Sequence, residues 1–383
     1  MVVAMDALSH LHFTSMDTLR RAQGDSLGAL GLGPAECNYR VLASGPHWRL
    51  RGYPTVGQRL PVLIVAAPIK RPYIWDLAPT RSAIRYCLDR HLGVYLLEWQ
   101  PPLRGQGSAG LDEYAGEAIS ECLAKAAADA GGEQPFLMGH SLGGTLAAIH
   151  AALDPQGVRG VVLLGAPLYF LAGGSAFRDA LVSLVPPGLS DTDIVPGSLL
   201  SQVSALASPS TFIWSRLMDA VISLADPAAT AIHARVERWA LDEVPLPGRL
   251  VHEIVEWLYR EDRFSRGTLP ICGREVGPSR LRLPTLMVIN SADEIAPPAS
   301  IAPFAQAMRD QTVRIFEYAG ETGVGLQHLA VLVGRQAYAQ IWPEIMSWLK
   351  APRQGWHNRS TGQAEQHRCA LPSTLGSPPE RQA

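Results

Sequence analysis

The sequence predicts a doubly wound α/β protein carrying a helical cap, on three observations. Apolar runs at residues 62–67, 94–99, 136–138, 161–164 and 286–289 are short and continuous rather than alternating, the pattern of strands buried on both faces. Helix-like segments separate these runs, so the sheet is expected to be mostly parallel with helices packed on each side. Between residues 169 and 282 the alternation stops and helical patterns take over, as at 229–241 and 250–260. An interval that long is no simple connection; a mostly helical lid over the C-terminal edge of the sheet accounts for it.

The remaining elements follow in chain order. Residues 1–40 form an N-terminal extension with a weak helical pattern around 16–22, then Gly24, Gly28, Gly31 and Gly33. Those glycines are misspaced for a dinucleotide-binding turn and lack its framing strand and helix, so a loop is expected. Residues 47–53 alternate like an edge strand. The core occupies 41–168 and 283–351, interrupted by the cap at 169–282. Residues 312–318 read as a last strand, and 335–349 as a closing amphipathic helix with Trp342, Ile345 and Leu349 on one face. The segment 352–383 is polar, rich in Pro, Gly and Ser and without period, and is expected to be disordered.

Composition narrows the function classes. With 383 residues, 47% of them hydrophobic, the chain can bury a sizeable core and is not a charged disordered protein. A net charge of -2 without any Lys/Arg stripe offers nucleic acid no electrostatic footprint. Cys37, Cys87, Cys122, Cys272 and Cys369 are scattered, with no C-x-x-C pair and no histidines at zinc spacing, so inert thiols in a reducing compartment are expected, and no metal or cofactor. The N-terminus lacks a basic signal-peptide region, and Asp6 and His10 interrupt its apolar stretch. The longest apolar run, 161–172, contains Gly165 and Pro167 and is shorter than the roughly 18 residues of a membrane span. A cytoplasmic protein without a membrane span is the expectation.

The chemistry centres on Gly139-His140-Ser141-Leu142-Gly143, followed by Gly144. An apolar strand runs into this motif and a helix-forming run leaves it, the strand-turn-helix frame of a nucleophile elbow in an α/β-hydrolase fold. Serine is a weak nucleophile at neutral pH and needs a histidine base oriented by a carboxylate. In this fold they follow in the order Ser, acid, His. Asp293, in the turn after the strand 286–289, is the expected acid, with Glu294 as the fallback. His328 is the expected base, being the only histidine between that turn and the tail, where His357 and His367 lie. The oxyanion hole should combine the backbone N–H of Leu142 with one from Ile69 or Lys70, in the loop after the strand 62–67. Side-chain roles for Lys70 and Arg71 compete with an ordinary solvated pair. Trp214, Trp239, Trp257 and Tyr259, at helical spacing in the cap, read as core rather than pocket.

From residue 61 to 349 the chain resembles the poly(3-hydroxyalkanoate) synthase family, particularly its shorter, two-subunit class. The resemblance rests on Arg71-Pro72-Tyr73-Ile74-Trp75-Asp76-Leu77, the elbow, Pro247-Gly248-Arg249-Leu250, Tyr259-Arg260-Glu261-Asp262, the stretch from Asp293 to Pro298, His328, and Trp342-Pro343. It implies an acyl coenzyme A substrate, a polyester product and a synthase-type partner subunit or a homo-oligomer, with acid and base at Asp293 and His328. The chain departs from the family at the nucleophile, where Ser141 replaces cysteine, and at Lys70, which stands where the two-subunit class usually has asparagine. Its Gly139-His140 is similar to ordinary esterases and lipases.

The serine changes the chemistry. A cysteine accepts an acyl group from coenzyme A as a second thioester and keeps it activated for transfer. Serine holds it as an oxygen ester and gives that activation up, leaving release to water or an alcohol as the easy course. The expectation is a serine hydrolase or transesterase acting on hydroxyacyl esters or thioesters. A synthase working through serine and a non-catalytic granule- or partner-binding relative stay open beside it.

Overall fold

The structure is a computed structural model that describes residues 7–54, 59–188, 190, 192–308 and 313–351. Among these residues the core is an eight-stranded sheet of β1 (Arg40–Ser44), β2 (Trp48–Gly52), β3 (Leu60–Val65), β4 (Leu92–Trp99), β5 (Phe136–His140), β6 (Val161–Leu164), β7 (Thr285–Asn290) and β8 (Val313–Tyr318). In space they run β1-β2-β4-β3-β5-β6-β7-β8. β2 is antiparallel to both neighbours, and every pairing from β4 to β8 is parallel. All residues of β4, β5, β6 and β7 are buried, which is why those runs are continuously apolar. β8, at the far edge, alternates instead.

From β3 the chain steps outward to β4, then returns to the other side of β3 to lay down β5. The strand order therefore switches between the C-terminal ends of β3 and β5, where open α/β sheets present a ligand crevice. Among the helices, α2 (Ala83–Asp89) packs on β4, α3 (Ile119–Asp129) on β3, and α4 (Leu142–Leu153) on β5 and β6. α4 is buried along almost its whole length, as a helix apolar all round must be.

The cap contains α5 (Ala176–Leu184), α6 (Gly197–Ala207), α7 (Ser215–Ser223), α8 (Pro227–Ala240) and α9 (Gly248–Glu253). Their starts are written locally: Ser175 accepts from the Arg178 N–H, and Asp226 accepts from the Ala228 N–H with Pro227 in the first turn. Two short ribbons escaped the sequence patterns. Ile194–Val195 pairs with Leu246–Pro247, and Leu269–Ile271 with Arg274–Val276. The second packs against α4, on the core.

Two local expectations are corrected. The glycine-bearing stretch after residue 22 is helical, since α1 (Ala7–Leu27) runs through Gly24 and a wide turn, Gly28–Leu32, continues it until Gly31 at φ 84°. Asp17 holds α1 in place by accepting from the Gly197 and Ser198 N–H groups at 3.2 and 2.7 Å, so it caps α6 from outside that helix. β2 is not an edge strand, because the half-exposed β1 lies outside it. The closing helix is found where expected: residues 335–350 are continuously helical, a widened turn at Ala337–Ile341 running directly into α10 (Trp342–Lys350). Its Trp342, Ile345 and Leu349 are buried. Residues 352–383 lie outside those described, and no helix among the described residues is long and apolar enough to cross a membrane.

Leu63 is fully buried in β3, flanked by β4 and β5. Leu63→Ala should cost about 2–5 kcal/mol through lost burial and a residual cavity. Urea denaturation should show a lower midpoint at unchanged m.

Candidate active site

β5 delivers its last residue, His140, to a sharp turn at Ser141, and α4 begins at Leu142. Ser141 sits at φ 55°, ψ -136°, a strained conformation for a residue with a side chain. The flanking glycines are there because the turn has no room. A Cβ on Gly139 would lie 2.6 Å from the Gly143 carbonyl, one on Gly143 2.3 Å from the Val65 carbonyl, and one on Gly144 2.5 Å from Ala166 Cβ. The turn is pinned by the Ser141 N–H donating to Leu164 at 3.1 Å and by the Gly144 and Thr145 N–H groups donating back to Ser141 at 2.9 and 3.1 Å.

Asp293 follows β7. Its Oδ1 accepts from the Ile295 and Ala296 N–H groups at 2.8 and 3.0 Å, and its Oδ2 lies 2.6 Å from His328 Nδ1. Burial alone would raise the Asp293 pKa, but His328 and the two backbone donors outweigh it and hold the carboxyl below its ordinary value. An ionised carboxylate only accepts, so Nδ1 carries the hydrogen, and in the neutral imidazole Nε2 keeps the lone pair. That Nε2 is buried with no hydrogen-bond partner. Glu294 points elsewhere, its carboxylate bonded to the Thr211 hydroxyl of the cap.

His140 has a second position in this arrangement that the motif alone did not disclose. Its Nε2–H donates to the His328 carbonyl at 2.7 Å, and the two rings are 4.6 Å apart between centroids. Burial, reinforced by the neighbouring His328, pushes the His140 pKa down to about 3. Asn290, at the end of β7, donates to the Gln327 carbonyl at 2.8 Å. The chain on both sides of the Gln327–His328 peptide is therefore held from β5 and β7.

Ser141, Leu142, His328, Ile69 and Lys70 all line one cavity of about 910 Å³ between core and cap. The cap wall is mainly apolar, with Phe177, Phe212, Trp239, Val255 and Tyr259 among its residues. Trp239 and Tyr259 thus face the pocket as well as the core, which corrects their assignment to core alone, and Trp214 is 65% exposed. Leu142 is the first residue of α4, where a backbone N–H has no acceptor within its helix. Lys70 pairs antiparallel with Glu243 through the Val244 N–H to Ile69 and the Arg71 N–H to Asp242, at 2.9 and 3.3 Å, bonds that leave the Lys70 N–H unused.

The Lys70 side chain is only partly exposed and is engaged by protein groups. Its Nζ donates to Glu243 at 2.9 Å and to the Ala240 carbonyl at 2.5 Å, while Arg20 of α1 reaches the same carboxylate at 2.7 Å. Burial, only partly opposed by Glu243, brings the Lys70 pKa down to about 8.

His140 makes stability depend on pH. In the unfolded chain it binds a proton near its ordinary pKa of 6.5, but in the fold only near 3. As pH falls through that window the unfolded state gains a proton the folded state refuses, so stability falls with it. His140→Asn keeps a donor for the His328 carbonyl and removes the titration. Urea midpoints measured between about pH 7 and pH 4 should decline less in the variant than in the parent; an equal decline would exclude His140 as a contributor.

A family model for the alpha/beta hydrolase fold matches residues 80–323. The chain is 28% identical over 294 residues to a poly(3-hydroxyalkanoate) polymerase subunit PhaC of Haloferax mediterranei, covering 76% of this chain and 58% of that one. It is 26% identical over 309 residues to the subunit of the same name from Haloarcula marismortui, covering 80% and 62%. The chain thus spans less than two thirds of the length of either relative. Among solved structures, one reported with carboxylesterases of Nitrososphaera gargenis superposes with a TM-score of 0.50 at 13% identity, over 82% of this chain and 98% of that one. That similarity concerns the fold. The strand order, the elbow and the matched family model converge, and the chain belongs to the α/β-hydrolase fold family.

Proposed function

We propose that this protein is a serine-nucleophile acyl-transfer enzyme that hydrolyses or transesterifies hydroxyacyl-type esters or thioesters. The observation that carries the proposal is that Ser141 and His328 line one apolar cavity, with the His328 Nε2 left without a hydrogen-bond partner and Asp293 behind the imidazole. In this mechanism Nε2 takes the Ser141 proton as Oγ attacks the acyl carbonyl. The tetrahedral oxyanion is received by the Leu142 N–H and by an N–H of Ile69 or Lys70. Collapse expels a thiolate or alkoxide, which receives the proton from His328, and water or an alcohol then attacks the acyl-serine with His328 again as base. Cofactor chemistry has no part in these steps, and coenzyme A enters only as a leaving group.

The similarity to polymerase subunits supports a second reading, chain elongation from 3-hydroxyacyl coenzyme A through Ser141, with a partner subunit or a second copy of this chain. We favour release, because an oxygen ester on Ser141 no longer carries thioester activation. Cytoplasmic residence belongs to the same proposal, since acyl coenzyme A is a soluble metabolite of that compartment.

A fluorophosphonate probe should label Ser141, and Ser141→Ala should lose both labelling and turnover while remaining folded. Asp293→Asn and His328→Ala should each lower kcat by roughly 10³-fold or more, because the three groups act as a unit. Labelling at another residue, or full turnover in the alanine variant, would defeat the proposal.

A further inference from the structure

The loop that leads to His328 is gripped from the cap. Asp219, on α7, accepts from the Gly323 N–H at 2.6 Å and the Val324 N–H at 3.3 Å through Oδ1, and from the Gly325 N–H at 2.6 Å through Oδ2. Its Oδ2 also receives His233 Nδ1–H of α8 at 2.9 Å. One carboxylate thus takes donors from three successive backbone positions ending three residues before His328. Both side chains are largely buried, at 10% and 11% exposure, so an unmade bond here would leave a charge without water. Burial alone would raise the Asp219 pKa, but His233 and the loop N–H groups outweigh it and keep the carboxylate ionised.

The loop is shaped for this contact. Gly323 and Gly325 lie at φ 78° and 73°, the left-handed region that costs a side chain dearly. A Cβ on Gly325 would approach Val236 of α8 to 3.0 Å, and one on Gly323 would come 3.3 Å from Ala229. The glycines therefore let the loop lie against α7 and α8, closely enough for its N–H groups to converge on one carboxylate. Asp219, His233 and the backbone of Gly323 to Gly325 do not line the cavity beside Ser141, although Val236, against which Gly325 packs, does.

We propose that Asp219 is a positioning residue: from the cap it fixes the loop that carries His328, so that the cap, and not the core alone, sets the base. This rests on His328 being the base. Asp293 orients the imidazole, His140 and Asn290 hold the neighbouring peptide, and Asp219 holds the approach to it. A displacement of the base by a fraction of an ångström to 1 Å is enough to cost one to two orders of magnitude in rate.

The test is Asp219→Asn in the full chain, compared with Ser223→Ala on the same helix. Amide hydrogen exchange at 323–325 should speed up at least about tenfold in Asp219→Asn and stay at the parent rate in Ser223→Ala. With a small soluble ester, kcat should fall about 10- to 100-fold with KM within about threefold. Unchanged exchange and unchanged kcat would overturn the proposal. Faster exchange without loss of kcat would also overturn it, by making the contact structural only. If Asp219→Asn does not fold, His233→Gln and His233→Leu decide. Glutamine can still donate to Asp219 and should keep loop exchange and kcat near the parent, whereas leucine should degrade both; equal behaviour of the two would overturn it. Exchange reads the loop whatever the reaction is, so a protein in which Ser141→Ala keeps full turnover contradicts the proposed function without deciding the contact.

Discussion

The turn at Ser141 depends on how closely the first turn of α4 lies against the ends of β3 and β6. Gly143 is in contact with the Val65 carbonyl and Gly144 with Ala166, at separations that leave no volume for a methyl group. That contact lets the chain reverse through a strained φ of 55° at Ser141 without lifting α4 off the sheet. It also brings the N-terminus of α4 beside the loop that follows β3, the point where the strand order switches. Ser141, the Leu142 N–H and the cavity thus share one packing constraint, and widening it would move all of them together.

The cap is bonded into the same arrangement. Glu243 takes Lys70 from the loop after β3 and Arg20 from α1, with Ser201 of α6 on the same carboxylate. Removing one member of such a buried cluster would leave the others without a partner, which is costly. Through this cluster and Asp17, the N-terminal helix closes against the cap rather than hanging from the core. The cavity is consequently bounded by segments distant in sequence, among them the elbow, the loop after β3, the cap helices, the His328 loop and α1, with Met16 and Arg20 on its wall.

Much of this was legible in the residues. Continuous apolar runs located the buried strands because both faces of β4 to β7 are covered, and the glycine spacing around Ser141 located the elbow because backbone contact demands it. Chain order sufficed to single out Asp293 and His328, which the fold brings within a hydrogen bond. Other features had no local signal. β1 is largely exposed and only five residues long, too short for a clear pattern; α1 packs on cap helices α6 and α8 and has no strong pattern of its own. The second roles of His140 and Asn290, and the grip of Asp219 on the histidine loop, depend on partners between 37 and 188 residues away. No periodicity reports such a distance.

Ser141 gives the central claim its chemical content. Under the proposed function it holds the acyl group as an oxygen ester rather than a thioester, which would favour release over growth. The most direct measurement is a rapid-quench experiment with a 3-hydroxyacyl coenzyme A, following thiol release, the acylated Ser141 peptide, free hydroxy acid and oligomer in one time course. The account predicts acyl-Ser141 that decays to free acid or a simple transester, with no chain longer than a dimer. Progressive elongation to polymer, with little free acid, would contradict it.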